Sequence, residues 1–316
     1  MIDYVIGIDL GATKIALGLI APDNRIIARR RLPTLVAAGP ASAVERMAAA
    51  IAELAAALPP GARLAAVGMC SPGPIDHAAG LIIDPPNLTG WRNVPLRQMM
   101  IERLGLPVAL EHDAKAAALG EYHYGAGRGE PHMIYIVAGT GVGAAIIIDG
   151  QLYRGMHNFA GEVGHITIDR NNSETSGSNV PGSVQSYLCG PALAHHYRYL
   201  CEQQGLPIDS EPITGELVAV RAAQGDALAA QVMTQAGEAL GIAVASMAMI
   251  LDIELYVVGG SVVKAGELLL TPARQTMPRY CFESVAAKTR IQPVALGDDS
   301  PLLGCAWLAR QTTIDN

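Results

Sequence analysis

Ile8-Asp9-Leu10-Gly11-Ala12-Thr13-Lys14 closes an apolar stretch, residues 4–10, on a polar turn containing glycine. A second apolar stretch, 15–21, follows at once, and Asp23-Asn24 turns into a third over 25–32. Short apolar runs separated by such turns predict three consecutive strands. Helical periodicity runs from 41 to 58 and stops at Pro59-Pro60-Gly61. A strand at 64–69, a helix at 94–104, a strand at 108–110 and a helix at 113–122 complete this half. The order then restarts: residues 133–137 are apolar, Gly139-Thr140-Gly141 turns, 143–148 are apolar, and Asp149-Gly150 leads to a third strand. Ile6-Gly7-Ile8-Asp9-Leu10-Gly11 therefore has a counterpart in Ile134-Tyr135-Ile136-Val137-Ala138-Gly139, and the matched order around both favours duplication over two unrelated hairpins. Beyond a polar loop at 170–181, helices are expected at 184–203 and 227–251. A strand at 255–258 ends in Gly259-Gly260, and a strand at 291–296 and a helix at 302–310 follow. Parallel strands joined by helices predict α/β layers, and two such units predict a ligand cleft between them.

The turns carry phosphate chemistry. Gly11 lets the backbone approach a phosphate, Thr13 and the turn amides donate, and Lys14 brings positive charge. Asp9 suits a Mg²⁺ ion held through water, because Mg²⁺ keeps several of its waters. The spacing is neither a P-loop nor a GxGxxG opening a helix. Gly139-Thr140-Gly141-Val142-Gly143 offers a second set of free amides, and together the two turns suit a triphosphate gripped from both sides. Glu111-His112-Asp113-Ala114-Lys115 lies at a strand end and helix start, where the helix dipole favours an ionised carboxylate. Such a carboxylate can take a hydroxyl proton during phosphoryl transfer, although Asp at a helix start is also an ordinary cap. Glu162 and His165, three apart, can both face a polyhydroxy ligand or a metal.

Composition removes several alternatives. The chain has 316 residues, half of them hydrophobic, and 22 basic against 29 acidic residues give a net charge of −7. No basic block is present and aromatic residues make up 4%, which disfavours nucleic-acid or acidic-membrane partners. Cys70, Cys189, Cys201, Cys281 and Cys305 are scattered, as expected of reduced thiols in a cytoplasmic protein. No signal peptide and no uncharged apolar stretch of about 18 residues is read.

Taken together, these segments resemble the ROK family of sugar kinases and related repressors. The resemblance rests on residues 8–14, Ser71-Pro72-Gly73-Pro74-Ile75-Asp76, Asn87-Leu88-Thr89-Gly90-Trp91, 111–121, 139–143, 161–165, Gly190-Pro191-Ala192-Leu193, Gly259-Gly260 and Leu302-Leu303-Gly304. It implies an actin-like, ribonuclease-H-like α/β fold of two domains with ATP and sugar in the cleft. The expected division is 1–115, with a C-terminal helix near 300–316 packing back on it, and 116–299. It implies an ATP- and Mg²⁺-dependent kinase in which Asp113 is the general base toward a sugar hydroxyl, usually the primary one. Asn87, His112, Glu162, His165 and Gln185 match sugar-pocket positions. Gly11, Thr13, Lys14, Thr140, Gly141 and Gly259 match nucleotide positions, with Gly139 beside them. Members are often homodimers or homotetramers.

The departures bear on identity. The family's zinc loop, CxCGxxGCxE, aligns with Ser176 to Gln185, and Ser176, Ser178 and Ser183 stand where it carries cysteine. Hydroxyls are poor Zn²⁺ ligands beside thiolates, so no structural zinc is expected. Gln185 replaces a glutamate, and the usual E-N-D-A-N is Glu111-His112-Asp113-Ala114-Lys115, with Lys115 expected to face solvent. Two altered pocket positions point from plain glucose toward a modified sugar, an amino sugar or a cyclitol. A sugar-responsive sensor or repressor is the alternative; Asp9 arriving after eight residues leaves no room for a DNA-binding segment ahead of it. An actin-like chaperone ATPase is a third reading, which Glu162 and His165 disfavour.

Overall fold

The structure, a computed structural model, describes residues 2–172, 180–207 and 212–314. The chain forms two compact units, Met1–Arg128 with Gly155–Asn158 and Ala295–Asn316, and Gly129–Arg154 with Phe159–Val294.

The first unit comprises β1 (Ile2–Leu10), β2 (Lys14–Ile20), β3 (Ile26–Pro33), α1 (Gly39–Ala55), β4 (Ala62–Ser71), a small hairpin of β5 (Ile75–Asp76) and β6 (Leu81–Ile82), α2 (Leu96–Leu104), β7 (Val108–His112) and α3 (Asp113–Tyr124). Its sheet has the order β3-β2-β1-β4-β7, antiparallel through the opening meander and parallel from β1 to β7. Ile6, Ile8 and Leu10 pack with Met47, Ile51 and Leu54 of α1, while Val5 and Ala66 pack on Leu303, Ala306 and Ala309 of the C-terminal helix. With both faces covered, the central strands are continuously apolar instead of alternating.

The C-terminal helix approaches so closely that only glycine fits beneath it. A Cβ on Gly68 of β4 would lie 1.8 Å from the Cys305 carbonyl oxygen, and one on Gly304 would lie 1.7 Å from that of Ala116 in α3. Glu121 of α3, fully buried, anchors the returning chain: its carboxylate accepts the N–H groups of Ala126, Ala295 and Leu296 and the Ser300 hydroxyl, at 2.9, 3.0, 2.9 and 2.6 Å. A buried carboxylate is stable only when so fully bonded. These contacts bind α3 into the first unit, so its main segment ends at Arg128 and not at the expected 115.

The second unit holds β8 (Met133–Ala138), β9 (Val142–Ile148), β10 (Gln151–Tyr153), α4 (Gln185–Leu188), α5 (Gly190–Gln203), α6 (Gly215–Ala223), α7 (Ala227–Leu251), β11 (Leu255–Gly259), α8 (Glu267–Thr276), α9 (Glu283–Ala286) and β12 (Arg290–Pro293). Its sheet order, β10-β9-β8-β11-β12, repeats the first, with the same strand directions. α10 (Ser300–Ile314) is the C-terminal helix of the first unit. The helix expected over 184–203 is broken at Cys189, whose extended backbone (ψ 157°) precedes Pro191 in the first turn of α5. α6 and α8 escape the sequence reading, α8 because Pro272 interrupts its pattern. α7 is long and apolar enough to cross a membrane by length and composition, Glu238 notwithstanding. Fourteen of its residues are buried and it is the central helix of this unit's core. Asp226 caps it, accepting from Leu228 and Ala229 N–H at 2.9 and 3.0 Å.

Candidate active site

Ligands of open α/β sheets collect at the carboxyl ends of parallel strands. In the first unit these ends carry Asp9 of β1, Cys70 and Ser71 of β4, and Glu111 and His112 of β7, with Asp9 opposite Cys70 and Cys70 opposite Glu111. Asp113 opens α3 directly beyond β7. Asp9 is largely shielded from water, which pushes its carboxyl up to about 6; the charge of Asp113 adds to this, and the Cys70 thiol and Lys14 oppose it. The Cys70 Sγ lies 3.6 Å from Asp9 Oδ1. The charge of Asp113 thus reaches Asp9, and Lys14 is the nearby cation that opposes it there.

The turn after β1 is held by a residue the motif did not reveal. Buried Thr34 donates its hydroxyl to the Gly11 carbonyl at 2.6 Å and its N–H to the Thr13 carbonyl at 2.9 Å. Thr13 and Lys14 remain exposed at the turn. Asn87 lies exposed in the turn that follows Pro85. Asp113 Oδ1 accepts the Ala114 N–H at 2.6 Å. Glu111 is buried, with Oε1 accepting the His112 N–H at 2.9 Å and Oε2 3.3 Å from His77 Nδ1. Lys115 does not face solvent: it is 5% exposed, and Nζ donates to the Asn158 carbonyl at 2.6 Å. That bond ties the first turn of α3 to the segment 155–158, which the first unit borrows from the middle of the chain.

In the second unit the turn between β8 and β9 stands against the start of α5, where Gly190 N–H donates to the Gly139 carbonyl at 2.8 Å. A cavity of about 830 Å³ opens beside it, walled by Gly139, Thr140, Ala194, Ile213, Thr214 and Ser261 among others. Its walls are mostly apolar, while Arg198, Glu216 and Lys264 also border it. The side of this cavity formed by α6 and its Thr214 cap was invisible in the sequence. Gly259, at the end of β11, is not among these walls, and a Cβ there would meet the Tyr135 hydroxyl at 2.3 Å.

Gln185 is buried, and its Oε1 accepts the Val142 N–H at 2.9 Å, bracing the β8–β9 turn and leaving its amide nitrogen to donate. A Cβ on Gly141 would come within 2.9 Å of the same oxygen. Glu162 and His165 lie on a short turn whose glycines press on β9: added carbons at Gly161 and Gly164 would meet the Ala144 and Val142 carbonyls at 2.0 and 2.2 Å. Their side chains are half-exposed, with Glu162 Oε2 and His165 Nε2 3.9 Å apart. Ser183 is buried, its hydroxyl 3.0 Å from that of Ser186; Ser176 and Ser178 lie outside the described residues.

Both glycine-containing turns and Asp113 therefore stand at strand ends of duplicated sheets. The sequence matches the ROK family over residues 5–312. The chain belongs to the ROK family. It is 31% identical over 315 residues to a glucokinase of Thermotoga maritima, covering 97% of each chain. The crystal structure of a ROK family glucokinase from Streptomyces griseus, in complex with glucose and AMPPNP, superposes with a TM-score of 0.80 at 31% identity, covering 98% of this chain and 99% of that one. A xylose repressor of Caldicellulosiruptor bescii is 32% identical over 244 residues, 76% of this chain and 61% of the repressor. The duplicated sheets and mixed α/β units are those of the two-domain actin-like ATPase fold.

Proposed function

We propose that this ROK-family sugar kinase transfers the γ-phosphate of Mg·ATP to the primary hydroxyl of a hexose or hexose-like compound, with Asp113 as general base. The observation that carries the reading is Asp113 at the head of α3, directly beyond the strand ends at which Asp9 of β1 also lies. The hydroxyl proton passes to Asp113 while its oxygen attacks the γ-phosphorus and ADP leaves. Asp9, a largely buried carboxylate that feels the charge of Asp113, suits a divalent cation and would hold Mg²⁺ through water. Mg²⁺ supplies charge neutralisation on the transferring phosphoryl group. Gly11, Thr13 and Lys14 serve the phosphates, as do Gly139, Thr140 and Gly141, and the apolar cavity beside Thr140 and Ala194 accepts the base of the nucleotide. Gly259, at the end of β11, serves the nucleotide with them in this reading.

Asn87, His112, Glu162, His165 and Gln185 contact the sugar in this reading. Commitment of Gln185 Oε1 to Val142 turns its remaining polarity toward donation, where a glutamate would offer a carboxylate oxygen. A ligand with an acceptor there, such as a modified sugar or cyclitol, is favoured over plain glucose. A panel of hexoses, N-acetyl and amino hexoses and cyclitols, scored by ADP release and product mass with Mg·ATP, tests both levels. A single compound gaining a phosphate, turned over faster than glucose, is expected; glucose as the best substrate refutes the shift, and no phosphorylated product refutes the kinase. The sensor reading keeps its support from the xylose repressor relative but gives Asp113 no task.

The protein is read as a cytoplasmic homodimer or homotetramer, its five cysteines all free thiols. Ser183, buried and bonded to Ser186, takes a serine hydroxyl's role where a thiolate would bind metal, which supports a chain without structural zinc. Elemental analysis of purified protein is expected to find less than about 0.1 zinc per chain; a stoichiometric ion retained through mild chelation refutes this.

A further inference from the structure

His112 stands directly before Asp113, and its ring is confined by the backbone of Gly73: a Cβ there would lie 2.6 Å from its Cδ2 and 2.8 Å from its Nε2. Its Nδ1 is buried and makes no hydrogen bond, yet sits 3.2 Å from Asp113 Oδ1. Buried polar atoms are almost always partnered, so an orphan beside a reactive carboxylate asks for an explanation. The other charged groups near the ring are already engaged. Glu111 accepts the His112 N–H and approaches His77, Lys115 reaches to the Asn158 carbonyl, and Asp9 acts on Asp113 from β1.

We propose that His112 is a positioning residue for Asp113. With its proton on Nδ1, the imidazole donates to Oδ1, the same oxygen that accepts the Ala114 N–H at 2.6 Å. Two donors then pin Oδ1, and Oδ2 is left to face the acceptor hydroxyl. Such bonds are often misaligned in the free enzyme and tighten when substrate is bound. In the transfer step the hydroxyl proton goes to Oδ2 and the hydroxyl oxygen bonds to the γ-phosphorus. The bond from phosphorus to the bridging oxygen breaks, its electron pair leaving with ADP, and His112 keeps its own proton throughout. Where the family carries asparagine this chain carries histidine, a donor that can also carry charge. This assignment rests on Asp113 being the base.

Three variants and one spectrum test it. His112→Ala is expected to lower kcat about tenfold while the sugar KM stays within about threefold, the signature of a contact made chiefly in the transition state. His112→Asn should recover most of that loss because its amide restores the donor. In proton spectra of the sugar-bound wild type, a downfield imidazole N–H resonance is expected that moves upfield in Asp113→Asn, whose neutral amide oxygen is the weaker acceptor. A sugar KM raised more than about tenfold at unchanged kcat would leave His112 its sugar contact alone and overturn the positioning role. An imidazole resonance indifferent to Asp113→Asn would overturn it as well. Absence of turnover in the wild type would refute the kinase reading, whereas turnover that His112→Ala leaves unchanged would overturn the positioning role alone.

Discussion

Asp113→Asn is expected to lower kcat by about 10²–10⁴-fold, with the KM values for ATP and sugar within about threefold of wild type. The substitution keeps size and shape but removes the oxygen that can hold a transferred proton. Phosphoryl transfer through a loose transition state relies mostly on positioning and charge neutralisation, which explains why turnover would not fall to the uncatalysed rate. The fold should survive. Asp113 is at the first residue of α3, where its carboxylate accepts the Ala114 N–H at 2.6 Å, and an amide oxygen can accept the same bond. Its side chain is 43% exposed, so no buried network collapses. Steady-state kinetics with the best substrate of the panel, beside a thermal unfolding curve, decides the matter. A kcat within about threefold of wild type removes Asp113 from the role of base.

The opening meander and its repeat were legible because their signals are local. Apolar strands of the right length, separated by Gly11 or by Gly139-Thr140-Gly141, need no knowledge of distant residues, and the two sheets carry the same order. The helix at Asp113 was legible for the same reason. What sequence did not disclose depends on residues far apart in the chain. Glu121 anchors Ala295, Leu296 and Ser300, Lys115 finds Asn158, Thr34 holds Gly11, and Gln185 braces Val142. Each is a polar group whose partner is set by tertiary packing, so its spacing in sequence carries no mark of it. Lys115 shows how this misleads: a lysine on a helix normally reaches water, yet this one is buried because segment 155–158 supplies a carbonyl.

Asp9→Asn is expected to separate stability from activity. The folded state holds the Asp9 carboxyl up at about 6, first through burial and then through Asp113, against 3.8 for an ordinary aspartate. The sign follows directly. Above pH 6 both folded and unfolded chains carry the charge, and the folded one bears the cost of keeping it out of water. As pH falls through 6 toward 3.8, the folded state takes up a proton that the unfolded state does not, and this residue's penalty disappears. At 1.36 kcal/mol per unit, the penalty at neutral pH is at most about 3 kcal/mol. The neutral amide escapes it, so Asp9→Asn should unfold at higher temperature than wild type at pH 7.5 in the absence of Mg·ATP, and the gap should narrow toward pH 4. Turnover should move the other way, falling about 10²-fold or more, because the carboxylate that in the proposed reaction would hold Mg²⁺ through water is lost. Parallel unfolding curves and Mg·ATP kinetics at both pH values measure the two effects. A variant less stable than wild type at pH 7.5 would mean that Asp9 contributes through its bonds more than it costs through its charge. Unchanged turnover would remove Asp9 from the Mg²⁺ site. The expected combination, a more stable and less active protein, is what a charge kept in a shielded place for the sake of a cation should produce.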